Sequence, residues 1–199
     1  METQTFTFAS SPFVPVAVGF FGLGTGYLIW GGQALFGFPK TSPELDRSLG
    51  LWGFWMPGFM QFLTGVYLFV GLTWFNVFSK AAPLYMAGLA FTAYGIHWFA
   101  MAHRRYIDSS AEADGWMAIA FLFLSLLGVD VFLRAGDIPV MIVFVGLTLI
   151  YATEIPTRLL SWAPGGRLTG LFQIITGIWL MYCTYAMTVD VALGAKAWI

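Results

Sequence analysis

Two long stretches without any charged residue restrict the fold of this chain more than any other feature of its sequence. Residues 3–39 and 48–79 contain no Asp, Glu, Lys or Arg. A helix that crosses a membrane needs about 20 consecutive, mostly apolar residues, so each stretch is long enough to supply one. In water, apolar runs of this length would expose large apolar patches that promote aggregation. The sequence therefore predicts an integral membrane protein.

The composition supports this prediction and excludes one class of partner. Apolar residues make up 59% of the 199 residues and charged residues 10%, against about 25% charged residues in soluble domains. Nine Lys and Arg residues face ten Asp and Glu residues, which gives a net charge of −1. Because binding to a phosphate backbone depends on a basic surface, we expect no nucleic-acid partner.

The alternation of apolar runs and polar breaks predicts an all-α membrane protein, a six-transmembrane-helix bundle that forms a single domain over residues 1–199. A polar, proline-punctuated loop is predicted at 38–48, and a kink at Pro57 within the second span. The predicted spans cover about 13–36, 49–74, 82–103, 115–134, 138–157 and 167–190.

Polar side chains within the predicted spans are candidates for function because they are costly at membrane depth. For each hydroxyl or amide, the alternative is a structural hydrogen bond between helices. His97 is either a packing residue or a titrating group beside a pore, and Asp130 and Arg134, one helical turn apart, are expected to form a local ion pair. The other candidates are Gln61, Thr92, Tyr94, Thr148, Gln173, Thr176 and Tyr182.

Glycines and tryptophans in the spans have structural explanations. Small residues allow helices to approach closely in lipid, and a glycine that lines a narrow pore is the alternative. The glycines in question are Gly22, Gly24, Gly26, Gly170 and Gly177. Tryptophans near span ends are typical of the belt at the membrane–water interface. Those assigned to the belt are Trp30, Trp52, Trp74, Trp116 and Trp162.

Sequence motifs of catalysis are missing from this chain. It has no HExxH zinc motif, no GxSxG nucleophile motif, no phosphate-binding glycine loop and no pair of cysteines. Two histidines and one cysteine are too few to favour a metal site. We therefore expect no enzyme, no cofactor and no metal.

One segment of the third span has a distinctive pattern of aromatic, hydroxyl and glycine residues. Phe91-Thr92-Ala93-Tyr94-Gly95-Ile96-His97-Trp98 is similar to the Phe-Thr-x-Tyr-Gly-x-x-Trp signature of the acetate uptake transporter family, to which succinate–acetate permeases belong. Residues 53–65 look like the second span of that family, and residues 144–149 like its fifth. Gly170, Gly177 and Tyr182 match spacings in its sixth span. In the first span, Ser11-Pro12-Phe13-Val14-Pro15-Val16-Ala17 stands where the family has Asn-Pro-Ala-Pro-Leu-Gly-Leu.

The resemblance implies a function and a set of residues that line the pathway. It implies a channel or transporter for small monocarboxylates such as acetate, with succinate and proton coupling left open, in the plasma (inner) membrane. It also implies a homo-hexamer in the lipid bilayer with one pore in each protomer. Phe20, Tyr94 and Leu147 would form the constriction, with Thr92 and Tyr94 as donors to the carboxylate and His97 as proton carrier. The remaining residues assigned to the pathway are Gln61, Thr148 and Tyr182, with Pro12 and Pro15 where the solute enters.

Two other interpretations stay open at the level of the sequence. The segment Gly166-Arg167-Leu168-Thr169-Gly170 is similar to part of the last span of the urea and amide channel family, which also forms six-span hexamers. Alternatively, an apolar bundle with few buried polar groups suits a small membrane subunit that carries no solute and packs against a larger complex.

Overall fold

The computed structural model describes residues 15–75 and 83–194, and within these ranges all regular secondary structure is helical. Phe54–Phe59 is a π-helical turn that joins the helices on either side of it, so Pro43–Thr73 forms one continuous helix. The helices are α1 (Val16–Phe36), α2 (Pro43–Gly53), α3 (Met60–Thr73), α4 (Pro83–Tyr106), α5 (Glu112–Ala135), α6 (Ile138–Leu159) and α7 (Gly165–Leu193).

Four of the described helices are long and apolar enough to cross a membrane: Pro43–Thr73, Glu112–Ala135, Ile138–Leu159 and Gly165–Leu193. The remaining long helices, α1 and α4, are richest in buried side chains. They occupy the interior, where α1 packs on α7 and α3, and α4 packs on α2, α3 and α5. The chain is therefore a multi-pass, all-helical membrane protein.

The loop predicted at 38–48 is wrong in its second half, because α2 begins at Pro43. The Ser42 hydroxyl accepts a hydrogen bond from the Leu45 backbone N–H at 3.2 Å, which caps the helix. Proline suits the first helical position because its missing N–H would have no partner there. The negative charges of Glu44 and Asp46 in the first turn interact favourably with the positive end of the helix dipole.

Pro57 lies within the π-helical turn, close to α1. Proline cannot donate to an earlier carbonyl, and a wider turn accommodates that loss. A Cβ built at Gly26 of α1 would stand 2.6 Å from Pro57 Cγ, and one at Gly22 would stand 2.5 Å from the Met56 carbonyl oxygen. These two glycines therefore permit α1 to contact the π-helical turn directly.

The opposite face of α1 is equally close to α7. A Cβ at Gly24 would lie 2.8 Å from Met181 Cε, and one at Gly31 would lie 2.9 Å from the Gly170 carbonyl oxygen. A Cβ at Gly170 would in turn lie 2.7 Å from the Leu35 backbone nitrogen. The prediction that Gly22, Gly24, Gly26, Gly170 and Gly177 serve helix packing is confirmed.

The belt assignment is wrong for Trp30, which is buried among helices. Its indole N–H donates to the Leu49 carbonyl oxygen at 3.1 Å, and its ring meets the ring of Trp98 edge-on with centroids 4.8 Å apart. A hydrogen-bond acceptor inside the bundle makes this burial possible. The ion pair predicted between Asp130 and Arg134 is confirmed, with Nε and Oδ1 2.7 Å apart.

The packing of α1 gives a test with a matched control on the same helix. Gly22→Ala places a methyl group against backbone, so we expect a cost of about 1–3 kcal/mol and a lower Tm in detergent. Gly32→Ala is the control, because its Cβ meets nothing closer than 3.9 Å. Equal Tm values for the two variants would contradict the described contact.

Candidate transport pathway

Three helices each turn one side toward a common axis through the interior of the bundle. The first halves of α1, α4 and α6 line a cavity of about 220 Å³, here called the apolar cavity. The second halves of the same helices line a larger cavity of about 390 Å³, here called the charged vestibule. Because each helix passes from the first cavity to the second, the three run in the same direction. Together the two cavities define an axis through the protein.

Apolar side chains at helical spacing make up most of the apolar cavity. Phe20 and Leu23 come from α1, Phe91 and Tyr94 from α4, and Phe144 and Leu147 from α6. Polar side chains enter from elsewhere in two cases: Gln61 from α3, and Asp137 from the turn between α5 and α6. The constriction predicted at Phe20, Tyr94 and Leu147 thus corresponds to side chains that face one cavity.

A layer of buried aromatic side chains separates the two cavities. The rings of Tyr94 and Tyr151 stack with centroids 6.0 Å apart and an interplanar angle of 9°. The Tyr27 ring lies beside the Trp98 ring, with centroids 5.8 Å apart. The His97 ring contacts the rings of Tyr151 and Phe121 edge-on, with centroids 5.7 and 4.3 Å apart. Tyr27, Tyr94, His97 and Tyr151 are each 2% exposed. A solute that moved along the axis would have to displace this layer.

The Tyr94 hydroxyl has its proton committed to Ser125. The two oxygens lie 2.9 Å apart, and Ser125 Oγ also lies 2.7 Å from the Phe121 carbonyl oxygen. A carbonyl oxygen can only accept, so the Ser125 proton goes to Phe121 and the Tyr94 proton goes to Ser125. In this arrangement the Tyr94 oxygen is available to a solute as an acceptor and not as a donor.

Gln61 is fully buried beside the apolar cavity. Its Nε2 donates to the Pro57 carbonyl oxygen at 2.9 Å. Because a carbonyl oxygen can only accept, this bond identifies the amide nitrogen and leaves the amide oxygen at the other position. Its Oε1 accepts no hydrogen bond from the described residues. Buried polar atoms normally have a partner, so an unsatisfied one needs an explanation.

Asp137 precedes α6 and caps it, because one carboxylate oxygen accepts from the Val140 backbone N–H at 3.1 Å. Partial burial removes water from this carboxylate and raises the pKa of Asp137 above its usual value, although the hydrogen bond from Val140 acts in the opposite direction. Asp137 therefore places an acidic group at the rim of the apolar cavity.

The charged vestibule contains arginines that are each paired with an acid. Arg104 Nε lies 2.8 Å from Asp114 Oδ2, Arg105 Nη2 lies 2.7 Å from Asp46 Oδ1, and Arg158 Nε lies 3.4 Å from Glu154 Oε1. Arg105 also donates to Gln33 Oε1 and stands 4.9 Å above the Trp30 ring. Because of this pairing, the vestibule presents both signs of charge to a solute.

The structure does not bring all the predicted pathway residues together. His97 lines the charged vestibule. Thr92 and Thr148 are not among the described residues that line either cavity, and their hydroxyls donate to carbonyl oxygens of their own helices. Tyr182 packs on the Trp179 ring, with centroids 5.3 Å apart, and is not among the described residues that line either cavity. Pro15 stands at the start of α1, whereas Pro12 lies outside the described residues.

Sequence reasoning missed several residues on the axis. They are Tyr27, Ser125, Asp137, Tyr151 and Glu154. Helical spacing was a usable signal for two of them, because Tyr27 follows the candidate Phe20 by seven residues and Tyr151 follows the candidate Leu147 by four. Residues four or seven apart share one face of a helix.

Comparison with solved structures identifies the same fold. A chain described as "Structure of the bacterial acetate channel SatP" matches with a TM-score of 0.71, over 95% of this chain and 99% of that chain, at 15% sequence identity. No protein-family model matches the sequence, and no curated protein matches it. The likeness shows a shared fold and, at that level, confirms the family resemblance drawn from residues 91–98.

The hydrogen bond between Tyr94 and Ser125 gives a prediction about stability. Ser125→Ala leaves the Tyr94 hydroxyl without its acceptor in apolar surroundings, which costs about 1–3 kcal/mol. Adding Tyr94→Phe removes the stranded hydroxyl, so the double variant should be less destabilised than the sum of the two single variants. Unfolding of the four proteins in detergent measures this coupling, and strict additivity would show that the bond contributes nothing.

Proposed function

We propose that this protein is a membrane channel or transporter for small monocarboxylates such as acetate. The observation that carries the proposal is the axis of two cavities along α1, α4 and α6, closed by a thin aromatic layer. The fold shared with a bacterial acetate channel supports the same conclusion.

The size and lining of the apolar cavity favour a small, weakly hydrated solute. Its volume of about 220 Å³ is below the range of about 300–1,000 Å³ that is usual for drug-sized ligands. A narrow apolar passage admits solutes according to the cost of stripping their water, so larger and more polar acids are rejected. Succinate carries a second carboxylate, and we therefore propose that it passes more slowly than acetate.

The membrane potential opposes inward movement of the acid as an anion. A carboxylic acid of this kind has a pKa of roughly 4 to 5 and is almost entirely anionic at pH 7. Moving the anion against a negative-inside potential costs about 2.3 kcal/mol per 100 mV. We propose that a proton accompanies the acid during net uptake.

We extend the proposal to the assembly and its place in the cell. A homo-hexamer in the plasma (inner) membrane, with one pathway in each protomer, agrees with the family resemblance of residues 91–98. The exposed apolar side chains of the bundle, such as Phe123 and Ile178, would then face lipid or a neighbouring protomer. Native mass spectrometry of the purified protein tests the assembly, and a monomer or dimer would contradict it.

An amide channel is the second candidate function. The unsatisfied Gln61 Oε1 favours it, because an amide N–H is a suitable donor to that atom. Labelled urea in the transport experiment below separates the candidates, since urea flux without acetate flux would identify an amide channel.

Transport into vesicles tests the proposed function and its gate. Proteoliposomes with the wild-type protein are expected to take up labelled acetate faster than protein-free vesicles. Tyr94→Ala removes a ring from the layer between the cavities, so it should raise butyrate uptake severalfold relative to acetate uptake.

The control for the gate variant is Tyr85→Ala, which removes an exposed tyrosine from the same helix. Its selectivity should match that of the wild type. Unchanged selectivity in Tyr94→Ala would remove Tyr94 from the gate, and no protein-dependent flux of acetate under any pH gradient would refute the proposed function.

A further inference from the structure

Among the described residues that line the apolar cavity, the polar side chains have only hydrogen-bond acceptors left to offer a solute. The cavity is lined by Gln61, Tyr94 and Asp137 among apolar residues, and no Lys, Arg or His of the described chain lines it. The amide nitrogen of Gln61 is used by Pro57, and the Tyr94 proton is used by Ser125. What remains is Gln61 Oε1, the Tyr94 oxygen and the Asp137 carboxylate.

The titratable groups among the described residues that line the cavity, Asp137 and Tyr94, are both potential anions. His97 lies outside this lining, in the aromatic layer, where its ring contacts Phe121 and Tyr151. Asp137 lies at the rim of the cavity, and Tyr94 comes from α4. A carboxylate anion in this space would meet lone pairs and a like charge, and would lose its hydration without replacement. A neutral carboxylic acid of the same shape carries one O–H donor. That donor can supply the hydrogen bond that Gln61 Oε1 does not receive from the described residues.

We propose that Gln61 is a recognition residue for a small neutral solute that carries a hydrogen-bond donor, and that the acid occupies the apolar cavity in its protonated form. Gln61 Oε1 accepts the carboxyl O–H, and Phe20, Phe91 and Leu147 surround the apolar end of the solute. The part that concerns an acid rests on the proposed function. The part that concerns a neutral donor does not, because it follows from the acceptors alone.

Acetamide separates the neutral form from the anion, because it has the shape of acetic acid, carries N–H donors and stays neutral across the pH range. We expect wild-type proteoliposomes to take up labelled acetamide faster than protein-free vesicles at every pH. At a fixed total concentration, protein-dependent acetate uptake should fall about tenfold per pH unit between pH 6 and pH 8, in proportion to the protonated fraction.

Gln61→Met keeps the length and flexibility of the side chain and removes the acceptor. The Pro57 carbonyl oxygen keeps a hydrogen bond from the Met60 backbone N–H, so the π-helical turn retains a partner. Loss of one hydrogen bond to the solute should lower acetamide uptake about three- to tenfold. Thr184→Val is the control, because its hydroxyl donates to the Leu180 carbonyl oxygen of its own helix, and it should leave uptake unchanged.

The outcomes distinguish this inference from the proposed function. Acetate uptake that is independent of pH, with acetamide excluded, would overturn the inference and leave the acetate channel intact. Acetamide uptake without acetate uptake would support the inference and refute the proposed function. Methylammonium uptake in place of acetamide would overturn the inference in favour of a cation site. If Gln61→Met does not fold, the wild-type pH profile and acetamide uptake still decide.

Discussion

The close approach of α1 to its neighbours on both sides positions everything else on the axis. Gly22 and Gly26 let it contact the π-helical turn at Pro57, and Gly24 and Gly31 let it contact α7. In lipid there is little hydrophobic drive between helices, so such backbone contacts supply much of the packing. With α1 fixed in this way, Phe20 and Tyr27 face α4 and α6 across the axis. The π-helical turn also orients Gln61, whose amide nitrogen bonds to the Pro57 carbonyl oxygen.

Polar side chains of the interior form hydrogen bonds within the protein because the lipid around the bundle offers no water as a partner. Most threonine hydroxyls in the bundle, including Thr64, Thr92 and Thr148, donate to a carbonyl oxygen four residues earlier. Such bonds satisfy the hydroxyl inside its own helix and leave it unavailable as a donor to a solute. The pathway is therefore poor in donors between the apolar cavity and the vestibule. Between the two cavities the described residues place an aromatic layer, and in the apolar cavity they leave acceptors rather than donors.

Much of this organisation can be predicted from the sequence, and the features that cannot be predicted are missed for physical reasons. Charge-free runs locate helical segments because lipid excludes charge, and the residue types at Phe20, Gln61, Tyr94 and Leu147 single out side chains that the fold brings to one cavity. The helix start at Pro43 was missed because the capping residues Ser42, Pro43 and Glu44 have the polar, proline-containing composition that is also typical of loops. The assignment of Trp30 to the interfacial belt is wrong and Tyr151 was missed because aromatic residues are common both at interfaces and in cores. Only tertiary contacts distinguish the two settings. The bond that commits Tyr94 to Ser125 joins residues 31 apart, which no local pattern reveals.

The central claim is that solute moves along the shared face of α1, α4 and α6, and chemical modification of a single introduced thiol tests it most directly. The native Cys183 is buried and lines neither cavity, so the wild type gives a low background with methanethiosulfonate reagents. Leu147→Cys places a thiol in the apolar cavity, and Leu149→Cys places one on the exposed surface of the same helix, where Leu149 is 41% exposed. The account predicts that modification blocks acetate uptake in Leu147→Cys and leaves it intact in Leu149→Cys. Full uptake after complete modification of Leu147→Cys would contradict it.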